Sequence, residues 1–194
     1  MTIGFHSPLI ERAVRLAASA HRDQNRKMSD VPYFSHPSSV ALILTQAGFT
    51  EHEILAAALL HDVVEDTSVT LDDISAEFPD DVVRMVAGCS ERKRDSDGNS
   101  IPWKQRKTEH LSHVSEASLG TRAILLADKL HNLSTMTFDQ AAGITIWSHF
   151  NASREDVLWY LTSIVDAAVD FPDDRLEQIA AECRHRLGEL APGD

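Results

Sequence analysis

Residues 54–66 read Ile54-Leu55-Ala56-Ala57-Ala58-Leu59-Leu60-His61-Asp62-Val63-Val64-Glu65-Asp66, an apolar run passing directly into four ionisable groups. Ile54, Leu55, Ala58 and Leu59 recur as a broad stripe at helical spacing, which marks this segment as the most deeply buried helix of the chain. Thr50 and Glu53 ahead of it have the spacing of a capping box. If helical geometry persists to Asp66, His61 and Glu65 share one face and Asp62 and Asp66 a neighbouring one. The segment alone leaves two readings open: a functional constellation, or a helix running out into solvent, since helix ends need polar partners.

Working outward, every other ordered stretch also has the helical period. Ser7-Pro8 is an N-cap with proline at the first helical position, and the apolar spacing carries that helix to about His21. Pro37 opens a second helix stopped by Gly48. Thr70 with Asp73 starts a short helix to Phe78, and Asp80 to Ala87 makes another, ended by Gly88. The polar, aperiodic stretch from Ser90 to Ile101 reads as a loop and is expected to be the most mobile part. Further helices are predicted from Pro102 to about Val114, from Thr121 to about Met136, from a Ser153/Asp156 cap, and from Pro172. With the irregular stretch 141–150 counted as one more, the expectation is an all-α protein of about ten helices.

The chain has 194 residues, 43% of them hydrophobic and 25% charged. That suits one globular domain with a sizeable core, because chains usually divide at roughly 150 to 250 residues. No repeat or linker divides it. Thirty acidic against eighteen basic side chains give a net charge of −12. Such a field repels polyanions and argues against nonspecific nucleic-acid binding. A small anionic ligand stays possible where a metal ion or a local basic cluster reverses the potential. The amino terminus has no signal-peptide pattern and the longest apolar run is far short of a membrane span, so a soluble, cytoplasmic protein is expected. Cys89 and Cys183 are too few for a disulfide framework and read as small buried hydrophobes.

Two further stretches bear on the chemistry. Asp128 lies within Ile124-Leu125-Leu126-Ala127-Asp128-Lys129-Leu130. A carboxylate buried there without a cation would cost several kcal/mol. Asn132 and Thr135 extend it into a polar stripe, which could equally face water, and Asp128 could pair with a Lys or Arg. His36 sits in Pro32-Tyr33-Phe34-Ser35-His36-Pro37, where two prolines stiffen the segment, although a capping histidine is the plainer reading. Taken together, two imidazoles and two carboxylates from separate segments form a mixed nitrogen and oxygen set suited to a divalent transition ion. The spacing is unlike HExxH or a zinc finger.

This pattern resembles the HD superfamily of metal-dependent phosphohydrolases, and within it the hydrolase domain of Rel/Spo-type enzymes and the small alarmone hydrolases. The resemblance is carried by His21-Arg22-Asp23-Gln24-Asn25-Arg26-Lys27, by Pro32 to Pro37, by Ala57 to Thr67 and by Ala127-Asp128-Lys129-Leu130-His131-Asn132-Leu133. It spans about residues 13–133, and helices over 139–190 would complete one HD-type domain covering 1–194. It implies a single divalent ion, usually manganese, held by His36, His61, Asp62 and Asp128. It also implies that Glu65 and Asp66 orient and activate water, that Arg26 and Lys27 contact the nucleotide, and that Asn132 and Thr135 line its site. The implied reaction is hydrolysis of the 3′-pyrophosphate of ppGpp or pppGpp to GDP or GTP. A phosphohydrolase acting on another nucleotide, such as a deoxynucleotide or NADPH, and a non-catalytic nucleotide sensor are the alternatives. The implied partner is thus a small nucleotide, with no nucleic acid or membrane, on a monomer or small homo-oligomer.

Two positions depart from the pattern. Leu158 stands where a tyrosine is often found, and Met28 is apolar in a substrate loop. Lys104, Arg106 and Lys107 are expected on a solvated helix face, His21 and His131 in packing or supporting roles, and Trp103, Trp147 and Trp159 in the core or a groove.

Overall fold

The computed structural model describes residues 7–27 and 29–191, and Met28 lies outside the described residues. Among the described residues there are ten α-helices and one 3-10 turn, with no strand beyond two isolated bridges, so the protein is all-α as expected. No described helix is long and apolar enough to cross a membrane. The chain groups into two compact units, Met1–Ser90 and Glu91–Asp194.

The first unit is built around α3 (His52–Leu60), against which α1 (Pro8–Ala20), α2 (Ser35–Gln46) and α6 (Asp80–Cys89) pack. Ala56, Ala57, Ala58 and Leu60 are wholly buried. Small side chains there bring the neighbouring helix backbones close, which is how so short a helix occupies the centre. Helix α1 starts as its sequence predicts, with Ser7 accepting from the Ile10 amide at 3.4 Å and Pro8 in the first turn. Helix α5 (Leu71–Glu77) has the full reciprocal capping box of Thr70 and Asp73. Gly48 ends α2 at φ 90°, and the Phe49 and Gly48 amides return to the carbonyls of Leu44 and Thr45 at 3.0 and 3.1 Å. That left-handed position is one only glycine occupies without steric cost.

Three boundaries in this unit differ from the sequence reading. Helix α2 begins at Ser35, so His36 lies inside its first turn and Pro37 follows it there, where its missing N–H is no loss. The Thr50/Glu53 box does not form: α3 starts one residue later, and the Glu51 carboxylate takes the Thr50 amide at 2.8 Å. Gly88 does not end α6, which continues to Cys89, because tertiary packing of Val86 and Cys89 outweighs a modest propensity cost.

The second unit centres on α8 (Leu119–Ala141), which is longer at both ends than predicted. Its start is set by Ser118, whose hydroxyl accepts from the Thr121 amide at 3.2 Å. Helices α9 (Arg154–Ala168) and α10 (Asp174–Leu190) pack along α8, and α7 (Trp103–Val114) packs on α9. The last helix is capped by Asp173 and not opened by Pro172. Arg122, only 3% exposed, binds the carbonyls of Ser115 and Ala117 beyond α7, at 2.6 and 3.0 Å, and that of Ala167 in α9 at 2.8 Å. The stretch 90–101 is a loop, as expected. Within it the Asp95 carboxylate accepts the amides of Asp97 and Asn99 at 2.9 and 2.8 Å. Cys89 and Cys183 are buried, and burial pushes the Cys183 thiol up to about 12.

Candidate metal and phosphohydrolase site

In the first unit the chain delivers its chemistry where α3 stops. Helix α3 ends at Leu60, His61 and Asp62 form a turn, and α4 (Val63–Asp66) resumes, tied back by the Asp66 amide on the Asp62 carbonyl at 2.9 Å. The helix therefore does not run unbroken to Asp66 but is interrupted at the His-Asp pair. The break lets the His61 ring fold back so that Nδ1 meets the Ala58 carbonyl at 2.7 Å. A carbonyl only accepts, so Nδ1 carries the hydrogen and Nε2 is turned toward Asp62.

His36, from the first turn of α2, joins this pair. Its ring stands edge-on to that of His61, with centroids 5.1 Å apart, and both histidines are buried. The Nε2 atoms of His36 and His61 lie 3.3 and 3.1 Å from Asp62 Oδ2. Burial opposes ionisation of Asp62, but His61 and His36 outweigh it and hold the carboxyl well below the usual carboxylate range. A neutral His61 with its hydrogen on Nδ1 points a lone pair at a carboxylate oxygen. Two acceptors at that spacing repel unless a proton or a metal ion joins them. This donor set therefore fits a divalent ion that accepts imidazole and carboxylate ligands.

The neighbouring residues serve this group. Glu65 and Asp66 are half-buried on α4. The Tyr33 hydroxyl donates to Asp62 Oδ2 at 2.7 Å and lies 3.3 Å from Asp66 Oδ2. Gln24 accepts from His21 Nδ1 at 2.6 Å and donates to the Asp66 carbonyl at 2.6 Å. His21, 1% exposed, is thus a supporting residue, as its position suggested. Arg26 is half-buried with its guanidinium 5.6 Å above the Tyr33 ring, and Lys27 is exposed. Tyr33 and Gln24 were not singled out from sequence. The signal was available, because both stand in the quoted motif segments, but their partners are 29 and 42 residues away in the chain.

In the second unit Asp128 is buried in α8, and its cation is the adjacent Lys129, whose ammonium contacts Oδ2. Asn132, one turn on, donates to Asp128 Oδ1 at 2.5 Å, and the Thr135 hydroxyl donates to the Asn132 carbonyl at 2.9 Å. The polar stripe is thus a bonded one. His36, His61 and Asp128 are each buried, and each offers one atom of metal-ligand type.

Arg106 and Lys107 are not on the solvated face assigned to them. Both pair with Glu91, a side chain 6% exposed, Arg106 at 3.4 Å. Glu91 also faces His110 Nδ1 at 3.6 Å, and the Tyr160 hydroxyl meets His110 Nδ1 at 2.8 Å. Burial opposes ionisation of Glu91, but Lys107 foremost and Lys129 next hold its carboxyl down. Burial and then the Lys129 charge push His110 down to about 4. Glu91 was hidden from sequence reading by its charged surroundings, Glu91-Arg92-Lys93-Arg94-Asp95, which look solvated. Lys104 does lie at the surface, paired with Asp156 at 2.7 Å and 3.3 Å above the Trp159 ring. Trp103, Trp147, Trp159 and Leu158 are half-buried, and Tyr160 beside Leu158 is buried.

Comparison with known proteins places this constellation. The HD domain family matches residues 13–158. The guanosine-3′,5′-bis(diphosphate) 3′-pyrophosphohydrolase MESH1 of Mus musculus is 39% identical over 133 residues, which are 68% of this chain and 71% of that protein. The guanosine-3′,5′-bis(diphosphate) 3′-pyrophosphohydrolase of Aquifex aeolicus is 35% identical over 134 residues, 68% of this chain but 18% of that longer protein. Among solved structures, a metazoan ortholog of SpoT, described as hydrolysing ppGpp and acting in starvation responses, matches with a TM-score of 0.77 and 30% identity. The match covers 94% of this chain and 98% of that one. The His-Asp turn, the helices that carry it and the run of matched sequence on either side agree on one assignment: the chain belongs to the HD domain family.

Proposed function

We propose that this protein hydrolyses the 3′-pyrophosphate of ppGpp or pppGpp, releasing pyrophosphate and GDP or GTP, with Mn2+ as its ion. The observation that carries the reading is the approach of two buried imidazoles to one Asp62 oxygen, with Glu65 and Asp66 on the next helical turn. The activity named for the relatives of similar length supports the substrate. His36, His61, Asp62 and Asp128 hold the ion, and residues 1–194 work as one HD domain whose motifs lie in 13–133 and whose helices over 139–190 complete it. When bound, a divalent ion lowers the pKa of water and neutralises phosphoryl charge.

The chain's own residues supply the rest. Glu65 and Asp66 orient the attacking water and accept its proton, a role worth roughly 10²- to 10⁴-fold. Manganese acidifies water less than zinc does, so a carboxylate base is the more useful there. Arg26 and Lys27 meet the negative charge of the leaving pyrophosphate, which a molecule of net charge −12 must offset locally. Asn132 and Thr135 line the nucleotide site. The protein acts in the cytoplasm on a free nucleotide, with no nucleic-acid or membrane partner, as a monomer or small homo-oligomer.

The test is product identification by chromatography after incubating the Mn2+-loaded protein with ppGpp, pppGpp and a panel of other nucleotides. Pyrophosphate is expected from the alarmones and should disappear in Asp62→Ala and Asp128→Ala. Glu65→Gln should lose about 10²-fold or more in kcat and still bind Mn2+. Orthophosphate from a different nucleotide, or binding of ppGpp without turnover, would overturn the assignment.

A further inference from the structure

The Tyr33 hydroxyl has two carboxylates in reach, and the proposed chemistry has given it nothing to do. It donates to Asp62 Oδ2 at 2.7 Å and lies 3.3 Å from Asp66 Oδ2. One side chain therefore connects a proposed metal ligand to a proposed water-activating group. A phenol at neutral pH has a single hydrogen to donate, so it serves one carboxylate at a time.

The position of that hydroxyl is built rather than incidental. The segment from α1 to α2 folds on itself, with the Arg26 amide on the Val31 carbonyl and the Tyr33 amide on the Gln24 carbonyl, both at 2.8 Å. The ring is held between imidazoles, 4.7 Å from His21 and 5.8 Å from His36 between centroids. Gln24, clamped by His21, fixes Asp66 from its main-chain side. The ring also meets the Arg26 guanidinium, 5.6 Å from its centroid.

We infer that Tyr33 is a positioning residue with two separable parts: its hydroxyl sets the Asp62 and Asp66 carboxylates relative to one another, and its ring supports the substrate-facing Arg26. Asp62 Oδ2 is also the oxygen that both histidines approach; it has two lone pairs, so the phenol can hold the carboxylate in place on one and would leave the other for an ion. The same hydroxyl, 3.3 Å from Asp66 Oδ2, keeps that carboxylate in register with Asp62 for proton transfer.

The experiment compares Tyr33→Phe, which removes the hydroxyl alone, with Tyr33→Leu, which removes the ring as well. For Tyr33→Phe, Mn2+ affinity measured by titration calorimetry should weaken about tenfold and kcat on ppGpp should fall about 10- to 100-fold with KM nearly unchanged. Tyr33→Leu should add a rise in KM of about three- to tenfold through lost support for Arg26. If Tyr33→Phe leaves the Mn2+ affinity and kcat within about twofold of the parent, or moves only the melting temperature, the inference is overturned. The kinetic arm rests on the hydrolase reading, and the calorimetric arm does not. A parent protein inert toward ppGpp would sink that reading while the Mn2+ titrations still decide the role of the hydroxyl.

Discussion

His110 shows how one buried side chain couples protonation to stability. Burial and the Lys129 charge lower its pKa to about 4, against an ordinary value of 6.5. Below pH 6.5 the unfolded chain takes up a proton that the native protein refuses until about pH 4. The associated stability is thus fully present above 6.5 and is lost as the pH falls across that window. At pH 5 the loss is on the order of 2 kcal/mol. Urea unfolding at pH 7 and pH 5 should show the parent losing about that much more than His110→Gln, in which nothing titrates. Equal losses in the two proteins would refute the linkage. Asp128 teaches the complementary lesson. Its apolar neighbours made a nearby cation predictable, but not which cation, and the adjacent Lys129 answers the demand before any ion arrives. The Lys129 ammonium is raised well above its usual range, because Asp128, Tyr160 and Glu91 together outweigh its burial.

At the scale of elements, side-chain caps were the most legible local signal, although not every cap was recognised. Ser7, Thr70, Ser118 and Ser153 each accept an amide at the start of a helix. Three of those starts could be read from sequence. The start of α8 could not, because the reading anchored on Thr121, which is the residue Ser118 caps. Helices α2 and α3 have no side-chain cap, and their boundaries are set by packing, which a linear pattern does not contain. The site followed the same division. His61, Asp62 and Asp128 stood out as candidate donors because they interrupt or end apolar runs, whereas His36 was carried by the family resemblance. Tyr33, Gln24 and Glu91 were not, because their roles exist only through partners far along the chain.

Arg122 is the element-level feature with the largest expected cost. Its guanidinium meets carbonyls at the ends of both α7 and α9, where helix dipoles concentrate negative charge. Arg122→Met keeps the apolar stem and takes the donor away from those part-buried carbonyls. The variant should lose about 3 kcal/mol in urea unfolding. A loss below about 0.5 kcal/mol would mean that the carbonyls find other partners.

For the molecule as a whole, an ion that binds only the native state adds to stability by mass action. Free Mn2+ at about 100 times its dissociation constant contributes about 2.7 kcal/mol. For a chain of this size that corresponds to a rise of about 5–10 °C in melting temperature. Dialysis against a chelator should remove the increment and Mn2+ should restore it. Identical melting curves in both conditions would leave the proposed ligands without an ion to hold.

The central position of α3 has one more outcome. Its wholly buried alanines give it almost no slack, so its amides are protected until the first unit opens as a body, whereas residues 22–27 have mostly exposed side chains and short-range backbone bonds. Thermal fluctuation therefore reaches the two halves of the chemistry unequally. The basic residues proposed to meet the nucleotide can loosen and re-form many times while the imidazole of His61 keeps its place, so modest warming should raise KM for ppGpp well before it weakens Mn2+ binding.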